Sequence, residues 1–341
     1  MSRSGSWTSR ARWMLSLRRG RVTAVVERHE GFARIEVDGD PCVAYPRLTG
    51  PVAVGDDVLV NVQARVLELG SGGFDVLYAN LTRGLGLPPD DEAHVMKLPY
   101  TPLQSAVRHL EEDAELSDDL HGMPVVCTTV HSQLAPVCAG IGDGARVAYV
   151  QTQGGALPVA LSDSVRALKA LGLVEATVAV GACVDGDRAA VSVASAFGWA
   201  DGAGFEVILC GIGPGIVGTA SRFGHGAVAA AECLNTAAAL AGTPILAARA
   251  SEAEMRGRHL GLSHHTAAVL SLSLTDVAVP WPSGREVPAE LGAVSAVEVE
   301  GWREACEGLA LSHMGRGPDE DPLFFEAAFA AGRAARGLVR G

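Results

Sequence analysis

The sequence predicts an α/β protein in which a small N-terminal β-barrel-like domain precedes a doubly wound, mostly parallel, Rossmann-like sheet. The first observation is compositional: of 341 residues, 48% are hydrophobic and only 5% aromatic, so alanine, valine and leucine dominate the expected core. Such a core is typical of parallel sheets covered by helices. The second is a change of pattern, because short β runs give way to apolar strands that alternate with helices.

The charge and the apolar runs argue against two classes of partner. A formal net charge of -12 leaves no broad basic surface for a phosphate backbone, so we expect no nucleic acid partner. No unbroken apolar run reaches the ~18 residues that a membrane helix needs, so we expect no membrane partner. The seven cysteines include no CxxC pair. They predict buried thiols in a cytoplasmic protein.

The N-terminal quarter of the chain contains three predicted segments. Residues 1–20 are rich in arginine and lack acidic residues, so we expect a flexible basic arm. Residues 21–84 contain five short β runs separated by turn residues, which predicts an SH3-like or OB-like β domain. Residues 85–98, with two adjacent prolines followed by two aspartates, are predicted to be a linker.

The central part of the chain, residues 99–297, is predicted to be the α/β domain. Its predicted strands are 123–130, 145–151, 176–182, 205–210, 244–248 and 276–279. Ligands of doubly wound sheets bind at the carboxyl ends of the strands. The segments that follow the strands, and so form the expected site, are 131–132, 151–157, 183–187, 211–226 and 249–252.

The C-terminal part, residues 298–341, is predicted to form helices. Asp321 is the expected N-cap of the last helix, and Pro322 its first residue. The aromatic stripe of this helix consists of Phe324, Phe325 and Phe329. It predicts internal packing or a dimer contact, and we expect the protein to be a homo-oligomer.

A glycine-rich turn follows the strand at 205–210. Gly213, Gly215 and Gly218 have the GxGxxG spacing of dinucleotide-binding loops. The match is weak, because the next helix begins only near Gly226 and no acidic residue lies about 20 residues further on to hold a ribose. A Walker A loop is excluded because the turn contains no lysine.

The same turn still has the chemistry of an anion site. Glycines let backbone N–H groups approach an anion closely, and a helix N-terminus adds partial positive charge. Further donors are Thr219, Ser221 and Arg222. We therefore expect the turn to bind a phosphate or carboxylate. The alternative is that its glycines only permit a tight passage from strand to helix.

Histidines and arginines concentrate in residues 256–266. Ser263 is the expected N-cap of a helix, which places His264 and His265 in its first turn. There the helix dipole disfavours imidazolium, so a neutral ring is able to act as a base near pH 7. Adjacent helical residues point about 100° apart, so we expect at most one of the two rings to face the site. Arg258 is expected to bind the anion.

Other polar residues follow neighbouring strands. His131 is a further candidate for acid–base catalysis, and Gln153 with Gly154 is expected to contact polar atoms of a substrate. The alternative to acid–base chemistry is a metal site that draws on His131, His225 and His259 together with one of the adjacent pair. We expect no metal, because no HExxH or other tight ligand spacing is present.

Four sequence phrases carry a resemblance to a known family. They are GMPVV at 122–126, VAYVQTQGGALP at 147–158, GPGIVGT at 213–219 and RHLGLSHHT at 258–266. Together, with the motifs GPGxxGT and RHxGxSHHT, they resemble an uncharacterised bacterial domain-of-unknown-function family found mainly in high-GC Gram-positive bacteria. The resemblance covers about residues 19–282. It implies a shared fold and leaves the reaction and any cofactor unknown.

The sequence favours one function and leaves another open. The favoured one is an enzyme that acts on a small anionic substrate, phosphorylated or nucleotide-like, held by the glycine-rich turn with histidine assistance. The alternative is a non-catalytic ligand-sensing or homo-oligomeric assembly protein that uses the β domain for partner contacts.

Overall fold

The computed structural model of the chain describes residues 15–68, 73–84 and 91–339. The chain divides into two compact units, Met1–Pro88 and Pro89–Gly341. The division falls within the segment predicted as a linker. Residues 1–14 of the predicted basic arm and residues 85–90 of the predicted linker lie outside the described residues.

The first unit is a closed five-stranded barrel. Its elements are β1 Leu17–His29, β2 Phe32–Val37, β3 Asp40–Ala44, α1 Pro46–Thr49, β4 Asp57–Asn61, α2 Gln63–Val66 and β5 Asp75–Asn80. The strand order is β1-β2-β3-β5-β4, and only β3 and β5 run parallel. Alternate residues such as Val22, Ile35 and Val58 point inward and form the core.

The barrel extends further towards the N-terminus than the sequence predicts. The first strand begins at Leu17 and pairs with β4 through residues 17–21. Arg18 and Arg19 form ion pairs with Asp38 and Asp57 across the barrel. Residues 17–20, the last four of the expected flexible arm, are therefore part of a strand. Arg18 and Arg19 have acidic partners there.

The second unit contains the remaining elements. They are β6 Val95–Lys97, β7 Ser105–Val107, β8 Pro124–Thr128, α3 Leu134–Ile141, β9 Val147–Thr152, α4 Asp163–Ala170, β10 Ala176–Val180, β11 Arg188–Ala190, α5 Val193–Gly202, β12 Val207–Ile212, α6 Ala229–Ala239, β13 Thr243–Ala247, β14 Ala250–Ser251, β15 Gly261–Leu262, α7 His264–Leu272, β16 Pro280–Pro282, β17 Ser295–Val297, α8 Trp302–Ala305 and α9 Pro322–Arg336. The pair formed by β6 and β7 means that residues 95–97 of the predicted linker are strand.

A six-stranded parallel sheet organises this unit, with strand order β11-β10-β9-β12-β8-β13. The predicted α/β class is confirmed. The order differs from the usual Rossmann order, because β12 lies between β8 and β9. As a result, the loop that follows β12 leaves the sheet between the loops that follow β8 and β9.

Helices cover both faces of the sheet, which explains the continuous apolar strands. Val125 and Cys127 of β8 pack with α5, α6 and α7, whereas Val126 packs on the opposite face with α3, α4 and α9. Helices α3 and α9 approach closely: a Cβ atom at Gly332 would lie 2.0 Å from the Val137 carbonyl oxygen. No helix in the described part of the chain is long and apolar enough to cross a membrane.

The aromatic stripe of α9 packs inside the unit. Phe324 is fully buried and stacks on His313, with ring centroids 3.8 Å apart. Phe325 stacks on Trp302 at 6.2 Å. The predicted start of α9 is also found, but the Asp321 carboxylate makes no capping bond to the helix. It accepts hydrogen bonds from Ser251, the Glu252 backbone and Arg316 instead.

Candidate functional site

The glycines after β9 and β12 allow two loops to pack backbone against backbone. A Cβ atom at Gly226 would lie 1.9 Å from the Gly154 carbonyl oxygen, and one at Gly155 would lie 2.1 Å from the Gly213 carbonyl oxygen. Real Cβ atoms do not approach so closely, and backbone atoms cannot rotate away as side chains do. These glycines therefore serve the close passage of two chain segments.

The polar groups of the glycine-rich turn bond mainly to one another. The Val217 N–H donates to the Gly154 carbonyl at 3.0 Å, and the Thr219 N–H donates to the Gly224 carbonyl at 2.7 Å. The hydroxyls of Thr219 and Ser221 are hydrogen-bonded at 2.8 Å. Residues 217–224 form an exposed tip.

The remaining predicted members of the turn fit the same picture. Gly215 has φ +69°, a backbone conformation that favours glycine, and Gly218 is bridged to His225. The Arg222 guanidinium lies over the Phe223 ring, 4.8 Å from its centroid. These contacts favour the tight-passage interpretation of the turn over an anion cradle. The turn leads from the exposed tip at residues 217–224 to His225, which is buried.

The first turn of α7 supplies two more rings. The Ser263 hydroxyl accepts the His265 backbone N–H at 3.2 Å, which makes Ser263 the N-cap, as the sequence predicts. The same hydroxyl is hydrogen-bonded to His259 Nδ1 at 2.7 Å. Ser263 thus fixes the start of the helix and one imidazole together.

Four rings meet here, and we call His225, His259, His264 and His265 the histidine cluster. Their contacting ring centroids lie 4.0 to 5.0 Å apart. His225 lies 4.0 Å from His265 and 5.0 Å from His264. The expectation that at most one of the adjacent pair faces the site is wrong, because His225 enters from another loop and contacts both.

Two nitrogens of the histidine cluster are buried without a partner among the described residues: His225 Nδ1 and His264 Nε2. His225 Nε2 donates to the Arg222 carbonyl at 2.9 Å, since a carbonyl oxygen can only accept. In the neutral ring Nδ1 therefore has a free lone pair. A buried polar atom left unpaired costs about 1–3 kcal/mol. Two such atoms in one cluster leave hydrogen-bonding capacity that the described residues do not use.

A buried arginine after β13 orients two of the surrounding imidazoles. The Arg249 side chain donates to His265 Nδ1 at 3.0 Å and to His313 Nε2 at 3.3 Å. Arginine is always a donor, so both nitrogens accept and both rings are neutral. His313 Nδ1 then donates to the Ser132 hydroxyl at 2.9 Å.

Arginines outnumber carboxylates around the cluster. Glu254 pairs with Arg256 at 2.7 Å and with Arg316 at 3.3 Å, and it lies 3.9 Å from Arg249. Arg316 also pairs with Asp321 at 3.2 Å. Hydrogen bonds from Arg256 hold the pKa of Glu254 well below its ordinary value. Three arginines facing two carboxylates, Glu254 and Asp321, leave an excess of positive charge.

Arg258 adds to this excess. Its side chain is exposed, and no hydrogen bond or ion pair of its guanidinium is found within the described residues. Burial is the largest cause of the lowered pKa of His264 and of His259, and the charge of Arg258 adds to it together with other neighbouring charges. We define Arg249, Arg256, Arg258 and Arg316 as the arginine group.

Burial, followed by the charge of the arginine group, keeps the histidine cluster neutral. It lowers the pKa of His259 to about 3 and that of His265 to about 2. The pKa values of His225 and His264 are also lowered, first by burial. All four imidazoles are therefore neutral near pH 7, so each ring carries one lone pair and one N–H, some of which are already hydrogen-bonded.

Two residues predicted for the site have other surroundings. His131 Nδ1 donates to the Ile212 carbonyl at 2.9 Å, and its Nε2 is hydrogen-bonded to the Ser162 hydroxyl at 2.6 Å. With both nitrogens engaged, His131 ties the end of β12 to the N-cap of α4, which is a structural role. Gln153 is exposed beside Gly154 at the loop that packs on Gly226.

Comparison with known proteins gives a family but no reaction. No curated protein matches the sequence. The model of the family described as Protein of unknown function (DUF3866) matches residues 41–332, which is most of the chain, so the resemblance is confirmed and the protein belongs to this family.

Proposed function

We propose that the protein is an enzyme that binds a small anionic substrate at the histidine cluster, beside the arginine group. The observation that carries this proposal is a pair of buried nitrogens, His225 Nδ1 and His264 Nε2, that have no hydrogen-bond partner in the part of the chain that the structure describes. Native proteins pair the great majority of their buried polar atoms. A bound molecule with hydrogen-bonding groups would satisfy both nitrogens at once.

The charge around the cluster selects an anion. Arg249 is almost completely buried and has one carboxylate neighbour, at 3.9 Å. Arg258 is exposed and able to swing towards a ligand. The planar guanidinium matches a phosphate or carboxylate with two parallel hydrogen bonds. The arginine group would therefore hold the acidic end of the substrate.

The imidazoles define the other end of the substrate. The lone pair of His225 Nδ1 is able to accept a hydrogen bond from a hydroxyl or a comparable O–H or N–H group of the ligand. A neutral ring in contact with that group is able to exchange a proton with it. A phosphate monoester or a hydroxy acid has both ends. The candidate site is therefore the histidine cluster, which His225 joins, and not the glycine-rich turn that precedes this residue.

We place this activity in the cytoplasm. The seven cysteines are all free and buried. Three of them, Cys127, Cys210 and Cys233, have sulfur atoms within 4.8 Å of one another in the core and still form no disulfide. Proteins of oxidising compartments commonly use such residues for disulfides.

Thermal-shift measurements with phosphate monoesters and hydroxy acids test the proposal. A ligand at about 100 times its Kd stabilises the native state by about 2.7 kcal/mol, which corresponds to a rise in Tm of roughly 5 to 10 °C. We expect such a rise for the wild type and its loss in Arg258→Ala. Arg188→Ala, which removes an exposed arginine from β11, serves as the control and should retain the shift. A blank screen, or an equal shift in Arg258→Ala, would overturn the proposal.

A further inference from the structure

We infer that the histidine cluster binds a divalent transition-metal ion of the zinc class through His225, His264 and His265. The inference rests on the proposed function in one respect: the metal would take the lone pairs of His225 and His264, and the anionic substrate would bind in the remaining coordination position of the metal instead of directly to these rings. Three imidazoles with one open position are the ligand arrangement of several catalytic zinc sites.

The three rings already converge. One nitrogen from each lies within 4.8 Å of the others. In a tetrahedral site with metal–nitrogen bonds of about 2.0–2.1 Å, ligand nitrogens are about 3.3 Å apart. Closing this difference needs a movement of about 1 Å in side chains that stand at the base of a loop and in the first turn of a helix. No part of the sheet has to move.

His225 has the surroundings of a metal ligand. Histidines that bind metals almost always donate the other ring N–H to a carboxylate, a carbonyl or a water, which fixes the tautomer. His225 Nε2 makes this bond with the Arg222 carbonyl at 2.9 Å and leaves Nδ1 buried, unpartnered and deprotonated. His264 Nε2 is likewise buried without a partner among the described residues.

His265 differs because Arg249 donates to its Nδ1, which leaves the ring proton on Nε2. Coordination through Nε2 replaces that proton with the metal, and the proton leaves to solvent. The resulting imidazolate is negatively charged and remains paired with the Arg249 guanidinium. This pairing accounts for a buried arginine that has an imidazole, and not a carboxylate, as its hydrogen-bond acceptor.

The excess positive charge of the arginine group affects how tightly the histidine cluster would bind a metal ion. A bare divalent cation would be repelled by these guanidiniums. The imidazolate and an anion in the open position both offset the repulsion. Metal and anion should therefore strengthen each other's binding by the same factor, as linkage requires.

A second group of metal-ligating side chains provides a comparison. Cys127, Cys210 and Cys233 also lie within 4.8 Å of one another. All three are buried in the apolar core between the sheet and α6, which offers no open position for a substrate. Burial raises the pKa of Cys127 and of Cys210, so two of the three thiols resist the deprotonation that metal binding needs, whereas hydrogen bonds from these two lower the pKa of Cys233.

Titration of the EDTA-treated full chain with Co²⁺, followed by visible absorption, tests the inference. We expect one ion per chain, d–d bands of a low-coordinate nitrogen site and displacement by Zn²⁺. His225→Ala and His264→Ala should each weaken binding by more than about 100-fold, beyond the 10- to 100-fold loss typical of residues outside the ligand set. His94→Ala, at an exposed position of the same unit, is the control.

Circular dichroism shows whether each variant folds. If His264→Ala unfolds, His264→Gln, which retains a polar side chain, is titrated in its place. Absence of Co²⁺ binding by the wild type, or equal affinity in the ligand variants, would overturn the inference. A sulfur-to-cobalt charge-transfer band would assign the ion to the three cysteines and overturn it as well.

Repeating the anion thermal shifts on metal-free and Co²⁺-loaded protein separates the two proposals. An Arg258-dependent anion shift without Co²⁺ binding would refute the metal site and leave the proposed function standing. Binding of Co²⁺ with no anion shift in either form would support the metal site and refute the proposed function.

Discussion

The chemistry available at the histidine cluster is decided by which nitrogen of each ring is already hydrogen-bonded. His131, outside the cluster, has both nitrogens engaged and offers neither. His225 has one engaged by a carbonyl, and His265 has one engaged by Arg249. Partners outside the rings therefore set the tautomers, and Arg249 has the largest influence because it contacts two imidazoles at once.

Replacing Arg249 tests this influence. Arg249→Met keeps much of the side-chain volume but removes the charge and both donors. We expect the pKa values of His265 and His313 to rise towards the ordinary value, because a cation that disfavours imidazolium is gone; burial still holds them low. The lost hydrogen bonds should cost about 1.5 to 3 kcal/mol each. NMR titration of the metal-free protein and urea unfolding measure the two effects.

Arg303→Met is the control, because Arg303 pairs with Asp319 on the surface. Its effect on stability should stay within about 0.5 kcal/mol, as for most surface substitutions. Unchanged pKa values of both histidines in Arg249→Met would show that Arg249 does not set their protonation.

At the residue scale, the sequence predicts what local chemistry determines. Ser263 is identified as an N-cap because a hydroxyl directly before an apolar helix has this role. Arg249 lies in residues 249–252, one of the segments expected to form the site because they follow strands. The neighbouring sequence does not indicate that the partners of Arg249 are imidazoles. His313 is missed altogether, because it reaches Ser132 from 181 residues away.

Among the elements, the loops after β9 and β12 determine whether the cluster forms. Their backbones touch at Gly154 and Gly226, and His225 directly precedes the second of these glycines. A GxGxxG spacing cannot distinguish this packing from phosphate binding, since both need glycine for close approach. The distinction requires knowing what lies opposite each glycine, which is a tertiary contact.

Gly226→Ala tests the loop contact. The added Cβ would lie 1.9 Å from the Gly154 carbonyl oxygen, so the two backbones must separate. We expect a loss of about 1–3 kcal/mol in the free energy of unfolding, as for other overpacked sites, together with weaker Co²⁺ binding through displaced His225.

Gly257→Ala is matched to this variant, because it adds the same methyl group near the cluster with no atom within 4 Å. It should change neither property. Equal stability of the two variants in urea unfolding would mean that the loops are not held in contact.

In the molecule as a whole, periodicity predicted the class of each unit but not the strand order. Hairpin spacing indicates a small barrel, and buried apolar runs between helices indicate a parallel sheet. Both signals are local. The position of β12 between β8 and β9 depends on pairing between distant segments. That position places the loop containing His225 in the middle of the row of loops at the carboxyl ends of the strands. The grouping of the site residues could therefore not be predicted from the sequence.

Buried neutral histidines also link the stability of the second unit to pH. Burial lowers the pKa of His131 to about 4 and those of His259 and His313 to about 3. In the unfolded chain each returns to about 6.5. Between these values the unfolded state binds more protons than the native state, so stability rises with pH. This contribution to stability is fully present above pH ~6.5 and is lost as the pH falls, down to about 4 for His131 and to about 3 for His259 and His313.

Unfolding free energies measured between pH 4.5 and 7 check this linkage, where each such histidine contributes up to about 1.4 kcal/mol per pH unit. His131→Asn isolates one contribution, because the asparagine amide is able to donate to the Ile212 carbonyl in place of Nδ1. The variant should have a shallower slope by about one proton, whatever its absolute stability. An unchanged slope would mean that His131 already takes up its proton in the native state, which contradicts the lowered pKa of its ring.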